Sequence, residues 1–403
     1  MRLTPESELL DRIGRLQAAM GRLGFDAVLL AQNADLFYFT GTIQSGALYV
    51  PAVGAPVYFV RKDASRARAE SALAHVVSMG SLRELPNVLH SMGYAAPRRL
   101  GFEYDVLPVA VFNRYCKAFP TAESLDASFL VRRVRMIKSS YEISLMRKAA
   151  QQADSVYRHA REILRAGTTD IELAAELEHY VRLQGHPGLV RMRSFNGEML
   201  FAHVFSGADA ACPAYLDTPL GGVGPHPSFG QGASWQRIQV HQPVVIDTGS
   251  FVDGYLVDQT RILSIGELPD HLLTAYSDML RVQTLMQRIV VPGITWAEVY
   301  ARCYALALEL GYADNFMGAK GAQASFIGHG LGIEIDELPI IAPGFTQDIF
   351  EPEMTFAFEP KAVFSGEGVV GIENTYVLHS NGLEQLTFSD EALGIVSELT
   401  SKD

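Results

Sequence analysis

PVVIDTGSFVDGYLVDQTRIL, residues 243–263, reads as two β-type runs on either side of Asp253-Gly254. That dipeptide tolerates positive φ and is a strong hairpin signal. Each run carries one acid among apolar residues, Asp247 in the first and Asp258 in the second. Folding the segment about the midpoint between Val252 and Asp253 sets the two aspartates opposite each other, with Cβ atoms roughly 5 Å apart. MTFAFEPKAVFSGEGVVGIENTYVL, residues 354–378, repeats the design. Folded about Gly366, inside Ser365-Gly366-Glu367-Gly368, it sets Glu359 opposite Glu373.

Two like-charged pairs in apolar strands are costly unless something neutralises them. Divalent cations are the simplest remedy, and an imidazole would complete the donor set. His329 offers one, between Gly328 and Gly330 and just before the run LGIEI. Any one of these five residues alone reads better as a surface charge or a satisfied polar group. Two opposed pairs with a glycine-flanked histidine point instead to two metal ions, near charge balance with a bridging hydroxide. The three cysteines, Cys116, Cys212 and Cys303, have no thiolate-site spacing, so a structural zinc site is not expected. Oxygen and imidazole donors suit manganese, iron, cobalt or zinc.

Working outward, a long helix is expected from near Ser139, with Ile143, Met146, Ala150, Ala153, Tyr157, Ala160 and Leu164 on one face and Gly167 as its stop. A second helix starts at Thr169, where Glu172 completes a capping box, and ends near Gly185. The pattern Gly167, Thr169, Glu172 returns as Gly293, Thr295, Glu298, a shift of 126 residues (293 − 167), and Gly185 returns as Gly311. The same shift carries Asp247 onto Glu373. An internal duplication with a pseudo-twofold axis follows.

Before residue 135 the pattern is that of a separate α/β domain. Leu9, Ile13, Leu16, Met20 and Leu23 mark an amphipathic helix, and DAVLLA, ALYVPA, PVYFV and RRLGFEY are β-type runs. Arg132, Arg133, Arg135 and Lys138 read as a solvated linker. The expected domains are 1–135 and 139–403.

At 48% hydrophobic and 19% charged residues the chain has material for packed cores, which excludes disorder. A formal charge of -12 repels phosphate backbones and acidic lipid surfaces, so neither nucleic acid nor membrane is an expected partner. No apolar run reaches the roughly 18 residues of a membrane span. The opening MRLTPESELLDRIGRL has no signal-peptide core. A cytoplasmic location is therefore expected. Gly366, Gly368 and Gly371 fit a dinucleotide G-x-G-x-x-G only formally, because a β-type run follows them.

The segments VVIDTG, GYLVDQTR, GHGLGIEIDELP, FAFEP and GIENT resemble those of the pita-bread metallopeptidases, in the prolidase, aminopeptidase P and creatinase branch. DAVLLAQNADLFYFTGT is similar to that branch's N-terminal domain and RMIKSSYEISLMRKAA to its domain junction. The resemblance implies an α/β creatinase-like N-terminal domain followed by a duplicated α+β pita-bread domain, assembled as a homodimer. It implies that Asp247 holds one metal, His329 and Glu359 the other, and that Asp258 and Glu373 bridge both. Glu359 would shuttle a proton to the leaving amine, and His226 would stand on the substrate side.

Three substrate-side positions depart from the resemblance. Ser325 stands where a histidine is usual, Asp336 replaces the histidine of a "VHE" motif, and Gly371 stands where an arginine often binds a substrate carboxylate. The expected function is a dinuclear metal-dependent aminopeptidase or Xaa-Pro dipeptidase of shifted specificity, acting on a small peptide or amide. The alternatives are creatinase-like C–N hydrolysis of a small guanidino or amide compound, and a binding protein on the peptidase fold. Loss of ligands would favour the last, and none is lost.

Overall fold

The computed structural model describes residues 2–397, which divide into two compact units: Met1–Arg135 with Arg193–Asn196, and Met136–Met192 with Gly197–Asp403. Among the described residues no helix is long and apolar enough to cross a membrane.

The first unit is built on a six-stranded sheet in the order Val76–Ser78, Val57–Val60, Gly46–Pro51, Ala27–Leu30, Arg99–Phe102, Glu123–Asp126. The middle strands pair antiparallel and the outer ones parallel. The helix Glu6–Leu23 buries Leu9, Ile13, Leu16 and Met20, and Gly24 ends it at φ 72°. Its periodicity was legible, although Leu23 lies on the solvent side at 57% exposure.

The basic stretch is not a solvated linker. Arg132, Arg133 and Arg135 lie in the helix Ser128–Met136. Arg135 is buried and its Nη1 donates to Asp35 Oδ1 at 2.7 Å. Lys138 is buried too, donating to Glu337 Oε2 at 3.0 Å. Buried cations must be paired, and these acids lie 100 and 199 residues away in sequence. A local charge count cannot see them.

The second unit carries a repeated plan. The helices Ser140–Ile163 and Asp170–Leu183 precede the strand Ala202–Ser206, which pairs with Val244–Val252, which pairs in turn with Tyr255–Ile265. The helices Asp270–Ile289 and Trp296–Glu309 precede Gly328–Leu331, which pairs with Thr355–Phe358, which pairs with Asn374–His379. Helix Asp170–Leu183 maps onto Trp296–Glu309 at the expected shift of 126 residues (296 − 170). The acids do not follow that shift. Strand order matches Asp247, on the middle strand of the first half, with Glu359 directly after the middle strand of the second. It likewise matches Asp258 with Glu373. The shift holds through the first strand of each half, carrying Ala202 onto Gly328 and His203 onto His329 (329 − 203), and fails beyond it because the long segment between Ser206 and Val244 has no equal in the second half.

Ser139 and Glu142 close a full capping box on the long helix, whose apolar face packs on the strand pair Val244–Val252 and Tyr255–Ile265. Glu142 also accepts a hydrogen bond from Tyr255 Oη at 2.8 Å, and Gln152 Oε1 accepts one from the Phe251 amide at 2.9 Å. The apolar residues that mark this helix in sequence, from Ile143 to Leu164, are all buried. Burial of one such aliphatic side chain contributes about 1.5–3 kcal/mol.

The capping threonines give a direct test of the repeat. Thr169 and Glu172 cap each other reciprocally, whereas Thr295 accepts from the Glu298 amide without the return bond. Thr169→Ala should lower stability by about 1 kcal/mol, and Thr295→Ala by less. Chemical denaturation would show a lower midpoint at unchanged slope; an unmoved midpoint for Thr169→Ala would refute the cap's contribution.

Candidate metal centre

Asp253 and Gly254 have φ of 48° and 99°, so both occupy the left-handed region that a two-residue hairpin turn uses. The closing pair is Val252 with Tyr255, and from it Asp247 faces Thr260 while Asp258 faces Gly249. The aspartates are therefore diagonal neighbours and not directly opposed. The register differs from the expected one because the turn dipeptide Asp253-Gly254 sets the centre of the hairpin. Strand alternation still puts Asp247, Gly249, Asp258 and Thr260 on one face.

The second pair lies as the register from Gly366 places it. Phe358 pairs with Asn374 and Lys361 with Gly371, leaving Glu359 and Glu373 opposed in the break between two ladders. The two sheets meet at this point. Thr375 Oγ1 accepts from the Asp258 amide and donates to its carbonyl oxygen, both at 2.9 Å, and the Glu373 amide donates to the Thr260 carbonyl at 3.3 Å. Arg261, fully buried, donates to the Glu373 carbonyl at 2.8 Å, and also to Thr260, Ser389 and Asp390 carbonyls and Asn374 Oδ1.

His329 enters from Gly328–Leu331, the strand between Ile335–Ile341 and Thr355–Phe358. A Cβ at Gly330 would stand 2.1 Å from Leu338 O, and one at Gly328 2.5 Å from Ala357 O. The flanking glycines let both neighbouring backbones close on the histidine strand. His329 Nε2 lies 3.7 Å from Glu359 Oε1, 3.7 Å from Glu373 Oε1 and 3.9 Å from Asp258 Oδ2. Donor atoms of Asp258, His329 and Glu373 fit within 4.8 Å of one another, all buried. Glu373 Oε1 is buried without a hydrogen-bond partner. A buried acceptor left unmade is costly, and a cation would satisfy it. The donor set thus fits a divalent ion.

Electrostatics in the cluster run against ordinary ionisation. Burial, then Glu373 and Asp247, push the Asp258 carboxyl well above the usual range. Burial and Glu373 push Glu359 up to about 8. Burial opposes charge on His329, but Asp336, then Glu373 and Glu359, hold its imidazole well above the usual value. Glu373 goes the other way: despite burial, Lys361 and then His329 keep its carboxyl low. A divalent ion reverses this logic by displacing the protons.

Two neighbours escaped the sequence reading. Lys361 is fully buried with Nζ 3.1 Å from Glu359 Oε2 and 3.0 Å from Glu373 Oε2. Strand alternation already put it on the side of Glu359, two residues on, so the signal was present. His203 is the other. It pairs with Asp247 across the sheet, with Nδ1 3.5 Å from Asp247 Oδ2 and Nε2 buried without a hydrogen-bond partner. Thr260 Oγ1 completes that side, 3.0 Å from Asp247 Oδ1 and 2.7 Å from Glu373 Oε2.

The substrate-side candidates are dispersed. Exposed His226 accepts the Ser228 amide at Nδ1 within its own turn, at 3.1 Å. Exposed Ser325 donates through Oγ to Asp217. Asp336, at φ 61°, has its Oδ1 3.5 Å from His329 Nδ1. Its neighbour Glu337 accepts amides of Ile333 and Glu334 and the Lys138 ammonium, which braces this turn. At Gly371 a Cβ would lie 2.4 Å from Pro360 O and 2.8 Å from Lys361 Cα. With the backbones so placed, that position has no room for a side chain.

A family model described as Metallopeptidase family M24 matches residues 144–380, and one described as Creatinase/Prolidase N-terminal domain matches residues 12–137. "Uncharacterized peptidase YqhT" of Bacillus subtilis is 28% identical over 389 residues, covering 96% of this chain and 100% of its own. An "Xaa-Pro dipeptidase" of Pyrococcus furiosus is 26% identical over 385 residues, covering 95% of this chain and 99% of its own. Among solved structures, an "Xaa-Pro dipeptidase from Bacillus anthracis" superposes with a TM-score of 0.80 at 27% identity, over 96% of this chain and 100% of that one.

Arg261 holds the backbone on which Asp258 and Glu373 meet. Arg261→Met would leave several buried carbonyls unsatisfied, at about 1–3 kcal/mol each, and should lower stability by at least about 3 kcal/mol. Thermal unfolding within a degree or so of wild type would show that the guanidinium is dispensable.

Proposed function

The chain belongs to metallopeptidase family M24, and on that premise we propose that it hydrolyses an amide bond in small peptides at the cluster of Asp258, His329 and Glu373. The observation that carries this reading is the buried, unpartnered Glu373 Oε1 beside His329 Nε2, in an oxygen and imidazole donor set. Asp258, His329, Glu359 and Glu373 would hold the ion, and Asp247 lies on the far side of Glu373. When bound, a divalent ion supplies Lewis-acid activation of water and of the scissile carbonyl. Manganese, cobalt, zinc and iron all suit the donors.

The chain's own groups have separable tasks in this reading. The Gly330 carbonyl, 3.2 Å from His329 Nδ1, and Asp336 Oδ1, 3.5 Å from it, fix the ring so that Nε2 points into the cluster. Glu359 keeps one oxygen on Lys361 and turns the other toward His329, the arrangement suited to holding a proton and passing it to the leaving amine. The dry walls of the two sheets strengthen each of these interactions.

The relatives named Xaa-Pro dipeptidase support a short peptide with proline after the scissile bond. Gly371 supports a preference shifted away from free dipeptides, since no cation at that position binds a terminal carboxylate. The reading includes a homodimer in a reducing compartment, which sedimentation would test for the assembly.

The test is a panel of an Xaa-Pro dipeptide, its C-terminal amide and longer peptides, assayed on protein loaded in turn with each of the four metals. Asp258→Asn should lower kcat/KM by at least about 100-fold, the rate equivalent of roughly 3 kcal/mol. Asp336→Asn should weaken metal affinity by about 10- to 100-fold. Full activity after exhaustive chelation would sink the proposal.

A further inference from the structure

The carboxylate set expected to hold two ions contains a cation of its own. Lys361 Nζ donates to Glu359 Oε2 at 3.1 Å and to Glu373 Oε2 at 3.0 Å, with its side chain fully buried. The other oxygen of each glutamate, Oε1, lies 3.7 Å from His329 Nε2. Both glutamates are thus split in the same way, one oxygen to the ammonium and one to the histidine side. That is how a carboxylate spans two cations, and here one of the two is a lysine.

The two sides of the cluster also differ in how far their donors are already engaged. On the lysine side Glu373 Oε2 accepts from Lys361 Nζ and lies 2.7 Å from Thr260 Oγ1, whose single proton serves either it or Asp247 Oδ1 at 3.0 Å, while Asp247 Oδ2 faces His203. On the histidine side Glu373 Oε1 has no hydrogen-bond partner. An ammonium donates and cannot ligate. An ion entering the lysine side would have to displace the lysine and threonine hydrogen bonds and sit against a fixed positive charge.

The lysine is also locked in place by the fold. It opens the strand Lys361–Phe364 directly across from Gly371, and a Cβ at Gly371 would stand 3.1 Å from Lys361 Cδ. The missing side chain at Gly371 is what lets the lysine stem lie over the strand pair.

We infer that the Lys361 ammonium takes the place of one of two metal ions, so that the chain binds a single divalent ion, on the side of Asp258, His329, Glu359 and Glu373. This rests on the metal-dependent reading above, and it narrows the expected dinuclear site to a mononuclear one with an internal cation. Asp247 then acts as a positioning residue, set against Thr260 on one oxygen and His203 on the other.

The experiment counts ions. Full-length protein is stripped, incubated with excess Mn2+, freed of unbound ion and analysed by plasma mass spectrometry, with electron paramagnetic resonance of the same samples. The wild type should hold one ion per chain with the spectrum of an isolated Mn2+. Lys361→Ala should hold two, with a spin-coupled spectrum, and adding Asp247→Asn should return the count to one. Two ions or a coupled spectrum in the wild type overturns the inference whether or not the variant folds, and leaves the peptidase reading intact. A folded Lys361→Ala that stays at one ion overturns it as well. No ion in the wild type overturns the metal-dependent reading itself, and this inference with it.

Discussion

Four acids and an imidazole are packed into a buried seam where two sheets meet, and the compensation of their charge is the constraint on which the second unit depends. Asp247, Asp258, Glu359 and Glu373 are each no more than 7% exposed. Isolated carboxylates in such a place would protonate or unfold the seam. The fold answers with Lys361, with the Thr260 hydroxyl set between Asp247 and Glu373, and with the His329 imidazole, which, against burial, Asp336 and the glutamates hold well above its ordinary value. Arg261 ties together the backbones on which Asp258 and Glu373 sit, through the carbonyls of Thr260 and Glu373.

Duplication explains why the seam exists. Each half brings two helices and a three-strand meander, and the third strands, Tyr255–Ile265 and Asn374–His379, meet through Thr375 and Asp258. Each half therefore delivers one acid on or beside its middle strand and one on or beside its third. The first strand of each half carries a histidine at the same place, His203 opposite Asp247 and the glycine-flanked His329, 126 residues apart (329 − 203).

Much of this was legible because it rests on local chemistry. Thr169 with Glu172 gives a helix start, Asp253-Gly254 gives a hairpin, and Gly328 with Gly330 marks a close approach of backbone around His329. The resemblance carried the ligand set further than spacing could. What escaped reading needed partners distant in sequence. The register of Asp247 and Asp258 slipped by one pair because acids, not the turn, were made to set the centre. His203 is not legible beside Asp247 because a long irregular segment separates the strand holding it from Asp247 in sequence. Arg135 and Lys138 look solvated in sequence because Asp35 and Glu337 are remote from them.

Lys361 is a different kind of omission, since its position was readable and its consequence was not weighed. A lysine two residues after Glu359 on an apolar strand must either point at the same carboxylates or leave the strand. Gly371, read from sequence only as a missing arginine, becomes the complement of that lysine once Pro360 and Lys361 are seen to fill the space above it. Gly371 and Lys361 are then two parts of one structural feature. A covalently attached cation differs from a second ion in an important respect: it is present as soon as the chain folds, at any metal concentration. The carboxylates of the seam are therefore partly neutralised before an ion arrives, and the stability of the fold is less tied to metal supply than four buried acids alone would make it.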